Sequence, residues 1–224
     1  SLSTVYYPGE NDVIAGFVTL CLTAFASEGC SDGSDCVQIN FSKSPVAEAG
    51  NDATVCQTGT HLLTGVASFY SSLSWSTNGD GTFSSTNSLT TSYTPGTTDI
   101  TNEMATLTLT VGAQSPCEVP ASDDLYLAIQ KSPTAYAGAD AAICQNKTLQ
   151  LNGSASDYSA IEWLTSGDGT YLLISSLNPV YLPGNSDKTT GIVTLTLTAS
   201  AVSPCEVSAI DDLLLTIQKL PTVS

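Results

Sequence analysis

The sequence predicts an all-β chain of tandem antiparallel sandwiches. Three observations carry this: an internal repeat of 88 residues, short runs that alternate apolar with polar residues, and a composition poor in helix formers. Ser and Thr supply 30 residues each, whereas charged residues make up only 12%. Such usage suits the polar faces of strands. With 42% apolar residues in 224, the chain has enough material for buried cores. Charge is one-sided, with 21 Asp and Glu against 5 Lys, no Arg, and a net charge of −16. A surface this acidic repels phosphate backbones and anionic membranes, and bidentate phosphate contacts need the missing Arg. Neither nucleic acid nor direct membrane insertion is expected. No apolar run approaches the roughly 18 residues of a membrane span.

A step of 88 residues carries Ser44-Pro45 to Ser132-Pro133, Cys56 to Cys144, Trp75 to Trp163, Asp80 to Asp168, Asp99 to Asp187, Cys117 to Cys205 and Lys131 to Lys219. Two complete units are therefore expected at 44–131 and 132–219, with the start of another at 220–224. Residues 1–43 correspond to the back half of a unit: Pro8-Gly9 and Asp12 follow Pro95-Gly96 and Asp99, and Lys43 follows Lys131. Half a sandwich leaves an apolar sheet face bare. The segment is accordingly read as cut from a longer array, the alternative being that a neighbouring chain donates the missing strands.

Within the second unit, Thr148–Asn152, Ile161–Leu164 and Val193–Thr198 have the period of half-buried strands, and Leu213–Ile217 is a more apolar final strand. Gly167-Asp168-Gly169 and Pro183-Gly184-Asn185 punctuate them. About seven short strands per unit point to an immunoglobulin-like two-sheet sandwich. Trp75 and Trp163 fall mid-strand and are expected as core anchors.

Seven cysteines are present. Cys56 and Cys117 have the same spacing as Cys144 and Cys205, so one disulfide within each complete unit, Cys56–Cys117 and Cys144–Cys205, is the simple expectation. In the partial unit Cys21 stands where Thr108 and Thr196 stand, and Cys36 where Asp124 and Asp212 stand. These positions oppose one another if the last two strands form a hairpin, which predicts a Cys21–Cys36 bridge. Cys30 corresponds to Cys117 and is left unpaired in the segment. Disulfides imply an extracellular location.

The string Trp75-Ser76-Thr77-Asn78-Gly79-Asp80-Gly81-Thr82-Phe83, with Tyr93-Thr94-Pro95-Gly96, Asp99-Ile100, Thr106–Thr110 and Pro116-Cys117, resembles a known repeat. It is similar to the PKD-like or immunoglobulin-like tandem repeats of giant Bacteroidota cell-surface proteins, including gliding-motility adhesins exported by the type IX pathway. Ala49-Gly50-Asn51-Asp52 and Ala137-Gly138-Ala139-Asp140 fit the entry of such units. The resemblance implies a secreted, cell-surface, adhesive or filament-forming role. Cys21 and Cys36 depart from the pattern.

Catalysis is not expected. His61, the sole histidine, has no counterpart in the second unit, and no nucleophile-elbow pattern occurs. Asp80 and Asp168 sit in Gly-Asp-Gly turns, where Asp accepts local hydrogen bonds and Gly permits positive φ. Asp12, Asp99 and Asp187, after Pro-Gly, read as caps of short helical turns. Asp123-Asp124 and Asp211-Asp212 read as solvated acids preceding the final strand. A calcium ion would need Asp52 or Asp140 to converge with Asp80 or Asp168 near a junction, which makes these four the candidate ligands. No other cofactor is expected.

Lys43, Lys131 and Lys219 each end a unit, and an ion pair with an acid at the start of the next unit would limit bending there. Asn40, Asn146 and Asn152 begin glycosylation sequons. The expected role is a disulfide-stabilised, semi-rigid stalk whose partners are further repeats of the same chain, sister filaments or surface glycans. The alternative is a carbohydrate-binding accessory module of a secreted enzyme, using exposed aromatics such as Tyr70 or Tyr158.

Overall fold

The computed structural model describes residues 3–221. The chain is all-β, and three six-residue helices are its only helical elements among the described residues. In residues 44–131 one sheet has four strands in the order Ala53–Cys56, Ala121–Gln130, Met104–Ala113, Tyr70–Thr77. All neighbours are antiparallel except Ala53–Cys56, which runs parallel to the final strand and pairs Cys56 with Gln130. The facing strands are His61–Thr64, Thr90–Thr94 and Thr82–Phe83, with Val46–Glu48 paired to Val66–Ser68. Residues 132–219 repeat this plan, with Ala141–Cys144, Ala209–Gln218, Ile192–Ala201 and Tyr158–Thr165 in the larger sheet.

Alternation decides what each strand buries. Along Met104–Ala113, Ala105, Leu107, Leu109 and Val111 are buried while the threonines between them face outward. Leu125, Leu127 and Ile129 line the neighbouring strand, and Trp75 and Tyr93 close the core from the two sheets. A separate core in the second unit gathers Trp163, Tyr181, Leu195, Leu197, Leu213 and Leu215. Each buried Leu contributes about 1.5–3 kcal/mol. The Trp75 indole donates to the Ser88 carbonyl at 3.0 Å, while Trp163 Nε1 is buried with no hydrogen-bond partner. Observed strands are longer than the sequence pattern suggests, except near Asn152. There the strand covers only Leu149–Gln150, and Asn152 lies exposed in a loop.

Residues 3–43 contain the helix Glu10–Ala15 and one hairpin, Phe17–Ala24 with Gly33–Asn40. Its sheet face is bare. Leu22 is 68% exposed and Val37 58%, where the corresponding Leu109 and Leu125 are 0% and 2% exposed.

Candidate functional site

Two arrangements stand out, one repeated in each complete unit and one at the junction between them. The first is a buried aspartate latch beneath the short helix. Gly96 and Gly184 are the N-caps of helices Thr97–Asn102 and Asn185–Thr190, and their N–H groups donate to Asp99 at 3.0 Å and Asp187 at 2.9 Å. Asp99 and Asp187 are buried, and each accepts a 2.6 Å hydrogen bond from a buried tyrosine, Tyr93 or Tyr181. Asp80 N–H and Asp168 N–H donate to the same carboxylates at 3.3 and 3.1 Å. In return the Asp80 carboxylate accepts from Thr98 N–H and Asp99 N–H, and Asp168 from Ser186 N–H and Asp187 N–H. These bonds to the helix N–H groups hold both carboxyls below the usual carboxylate range.

The turn glycines have a different task from the one the sequence suggests. Gly79 and Gly167 do not have positive φ; a Cβ at these positions would stand 1.5 Å from Asp99 Oδ1 and 1.7 Å from Asp187 Oδ1. They are small so that the aspartate can approach. Burial pushes the Tyr93 and Tyr181 phenols up to about 12.

The candidate calcium ligands are engaged separately. Asp52 accepts from Tyr126 N–H and Asp140 from Leu214 N–H, both at 2.9 Å beside the final strands, whereas Asp80 and Asp168 face the helices. Among the described residues no three His, Cys, Asp or Glu side chains are grouped to hold a metal. Asp123 and Asp211 are also not merely solvated. They lie inside the final strands and accept from Ala49 N–H at 2.7 Å and Ala137 N–H at 2.8 Å. His61 sits half-buried on the strand His61–Thr64, and desolvation lowers its pKa.

The second arrangement is the junction. Only Lys131–Pro133 separate the strands Ala121–Gln130 and Thr134–Tyr136. Here the structure corrects the expected disulfides: Cys56 bonds to Cys205 of the other unit, and neither Cys56–Cys117 nor Cys144–Cys205 forms. The reason is polarity. Cys56 lies beside Gln130 at the exit end of its unit, while Cys117 follows Ala113 in the loop at the entry end, one ten-residue strand away. Such a strand spans about 30 Å, far beyond the roughly 7 Å limit between bonded Cα atoms. Across the junction, however, the entry loop of the second unit meets the exit of the first. Cys205 Sγ lies 3.4 Å from the Gln130 carbonyl and 3.9 Å from Ser132 Oγ. Cys21 and Cys36 are joined by the other disulfide, at the register position where Thr108 donates to Asp124 and Thr196 to Asp212, each at 2.6 Å. Cys30, Cys117 and Cys144 carry free thiols.

The lysines behave differently from expectation. Lys131 pairs at 2.7 Å with Glu103 of its own unit, at the corner ending the short helix, and not with an acid at the start of the next. Asp157 of the next unit adds a lesser coulombic attraction. Lys43 stacks its ammonium 5.1 Å from the Phe69 ring. Phe69 and Asp157 occupy the same repeat position, so this position meets the junction lysine in both places. Lys219 is exposed at the end of the last strand.

No known protein family matches the chain, and no curated protein matches it. Solved structures do resemble it in fold. The cadherin domains EC1–3 of protocadherin gamma C5 match with a TM-score of 0.55 at 11% identity, covering 95% of this chain and 81% of that one. Domains 1–4 of protocadherin gamma B7 match at 0.53 and 10% identity, covering 96% and 62%, so this chain spans about three fifths of that one. Mouse cadherin-23 EC22–24 matches at 0.50 and 12% identity, covering 79% and 67%. The shared property is the tandem β-sandwich.

Proposed function

We propose that this chain is a non-enzymatic structural segment of a long extracellular adhesin or surface filament, of the PKD-like repeat type. In this reading, units 44–131 and 132–219, the half unit 1–43 and the start of another at 220–224 form a disulfide-stabilised stalk. The observation that carries it is the Cys56–Cys205 bond, which ties consecutive sandwiches together at a junction already closed by a three-residue linker. Two covalent connections at one junction remove the freedom a single short linker leaves. The bare face of the half unit supports flanking material of the same kind, because Leu22 and Val37 occupy positions that the complete units bury. Further repeats of the same chain are the immediate partners, and sister filaments or surface glycans would be met by the whole array. The acidic, threonine-covered faces keep neighbouring stalks apart.

Small-angle scattering of the oxidised chain and of a Cys56→Ser variant tests the reading. The expected result is a narrow set of inter-unit arrangements for the oxidised chain that broadens in the variant. Identical, broad distributions for both would remove the stalk.

A further inference from the structure

We infer that Cys56–Cys205 is one link of a continuous series, in which the exit cysteine of every repeat is bonded to the entry cysteine of the next. The inference rests on the array reading above and adds to it the covalent pairing of Cys117 and Cys144.

Two classes of cysteine are distinguishable by their surroundings. Cys56 and Cys144 each end a short strand parallel to the final strand, opposite Gln130 and Gln218. The N–H of the following residue, Gln57 or Gln145, donates to that glutamine's carbonyl at 2.9 Å in both. Cys117 and Cys205 each directly follow a Ser-Pro pair, with their N–H groups donating three residues back to Gln114 and Val202 at 2.8 and 2.9 Å. The Cys117 sulfur stands 3.5 Å from the Ser42 carbonyl, just as Cys205 Sγ stands 3.4 Å from Gln130. Ser42 and Gln130 are the same repeat position. Cys117 therefore holds, relative to residues 3–43, the place that the bonded Cys205 holds relative to residues 44–131. Cys30 belongs to the entry class as well, its N–H donating to Ser27 at 3.2 Å.

The classes assign partners. Cys144 takes the entry cysteine of the unit that follows residue 219. Cys117 takes an exit cysteine in the front half that completes residues 1–43, and Cys30 takes one from the unit before that. Each link forms by oxidation of two thiols, which release two protons and pass two electrons to a disulfide oxidant such as oxidised glutathione, itself reduced to two thiols.

The test replaces residues 220–224 with a second copy of 132–219 and folds the extended chain with oxidised glutathione. Peptide mapping without reduction then follows. The expected result is a disulfide between Cys144 and the appended copy's counterpart of Cys205, with loss of Cys144 labelling by maleimide. A Cys144→Ser form of the extended chain should still melt as three folded units, at a lower temperature, while freeing one thiol in the appended loop. Cys144 still alkylated beside a folded copy, or bonded to Cys117, overturns the series and leaves the array standing. A copy that fails to melt as a folded unit also overturns it, since the copy then does not stack where Cys144 needs it. The array itself falls on a separate result, a native gene encoding no further 88-residue units.

Discussion

Asp99 and Asp187 are buried side chains whose carboxyl oxygens accept hydrogen bonds from a turn, an N-cap glycine and a tyrosine. Removing the acceptor strands those donors. Asp187→Ala is expected to cost about 3 kcal/mol, the order expected when buried donors lose a charged partner. Gly167→Ala should be of comparable severity, because its Cβ would enter the space of Asp187 Oδ1. Gly33→Ala, with nothing near the new Cβ, serves as the neutral control. Chemical denaturation checks all three. Tyr93 and Tyr181, pushed up to about 12 by burial, define an alkaline limit. Their folded pKa exceeds the unfolded value of about 10, so the stability they contribute is full below that pH. It is lost as pH rises from there toward 12. The melting temperature should fall across that interval. A Tyr93→Phe, Tyr181→Phe double variant should start lower and fall less. The sequence marked the aspartates as belonging to the helix start, but as the caps themselves. The N-caps are instead Gly96 and Gly184, and the aspartates stand three residues further in and bond back to them. The tyrosines were not visible, since nothing in Tyr-Thr-Pro-Gly says that the ring turns inward beneath the helix.

At the scale of the element, the hairpin Phe17–Ala24 and Gly33–Asn40 stands without an opposing sheet, and a lone two-stranded hairpin is marginal in water. Its disulfide replaces the Thr–Asp hydrogen bond of the other units at the same register. The sequence separation of 15 from Cys21 to Cys36 makes that bond worth about 3 kcal/mol in the chain-entropy model. Cys21→Ser with Cys36→Ser should therefore lower amide protection along Phe17–Ala24 while leaving the units 44–219 unchanged in hydrogen exchange. Cys21→Thr with Cys36→Asp should recover part of it. The cross-strand placement of these two positions follows from Thr108 and Asp124 alone, because hairpin strands keep their register when a pair is exchanged. The long strands were equally legible, since Leu-Thr-Leu-Thr has a single period. What the alternation could not convey is that Ala53–Cys56 leaves the facing layer and runs parallel beside the last strand, because four residues carry too little pattern to choose a sheet.

That one short strand decides the organisation of the whole molecule. It takes Cys56 to the exit of its unit, and so turns a pair of equally spaced cysteines from a bond within a unit into a bond between units. Spacing alone favours the intra-unit pair, and only the poles at which the strands end reverse that choice. The junction lysine shows the same limit. Its recurrence marked the place, but its contacts, Glu103 in one case and the Phe69 ring in the other, depend on a corner and a loop that fold against it. The Cys56–Cys205 link also spans 149 residues of sequence while joining atoms at one point. A pull on the two ends of the chain would therefore run through sulfur and bypass the residues between, leaving both aspartate latches unloaded, while the core strands Ala53–Cys56 and Ala209–Gln218 on either side of the bond still carry the force. Only cutting that bond would let the enclosed length unspool, so redox chemistry decides whether that length is available for extension before the strength of the sheets comes into play.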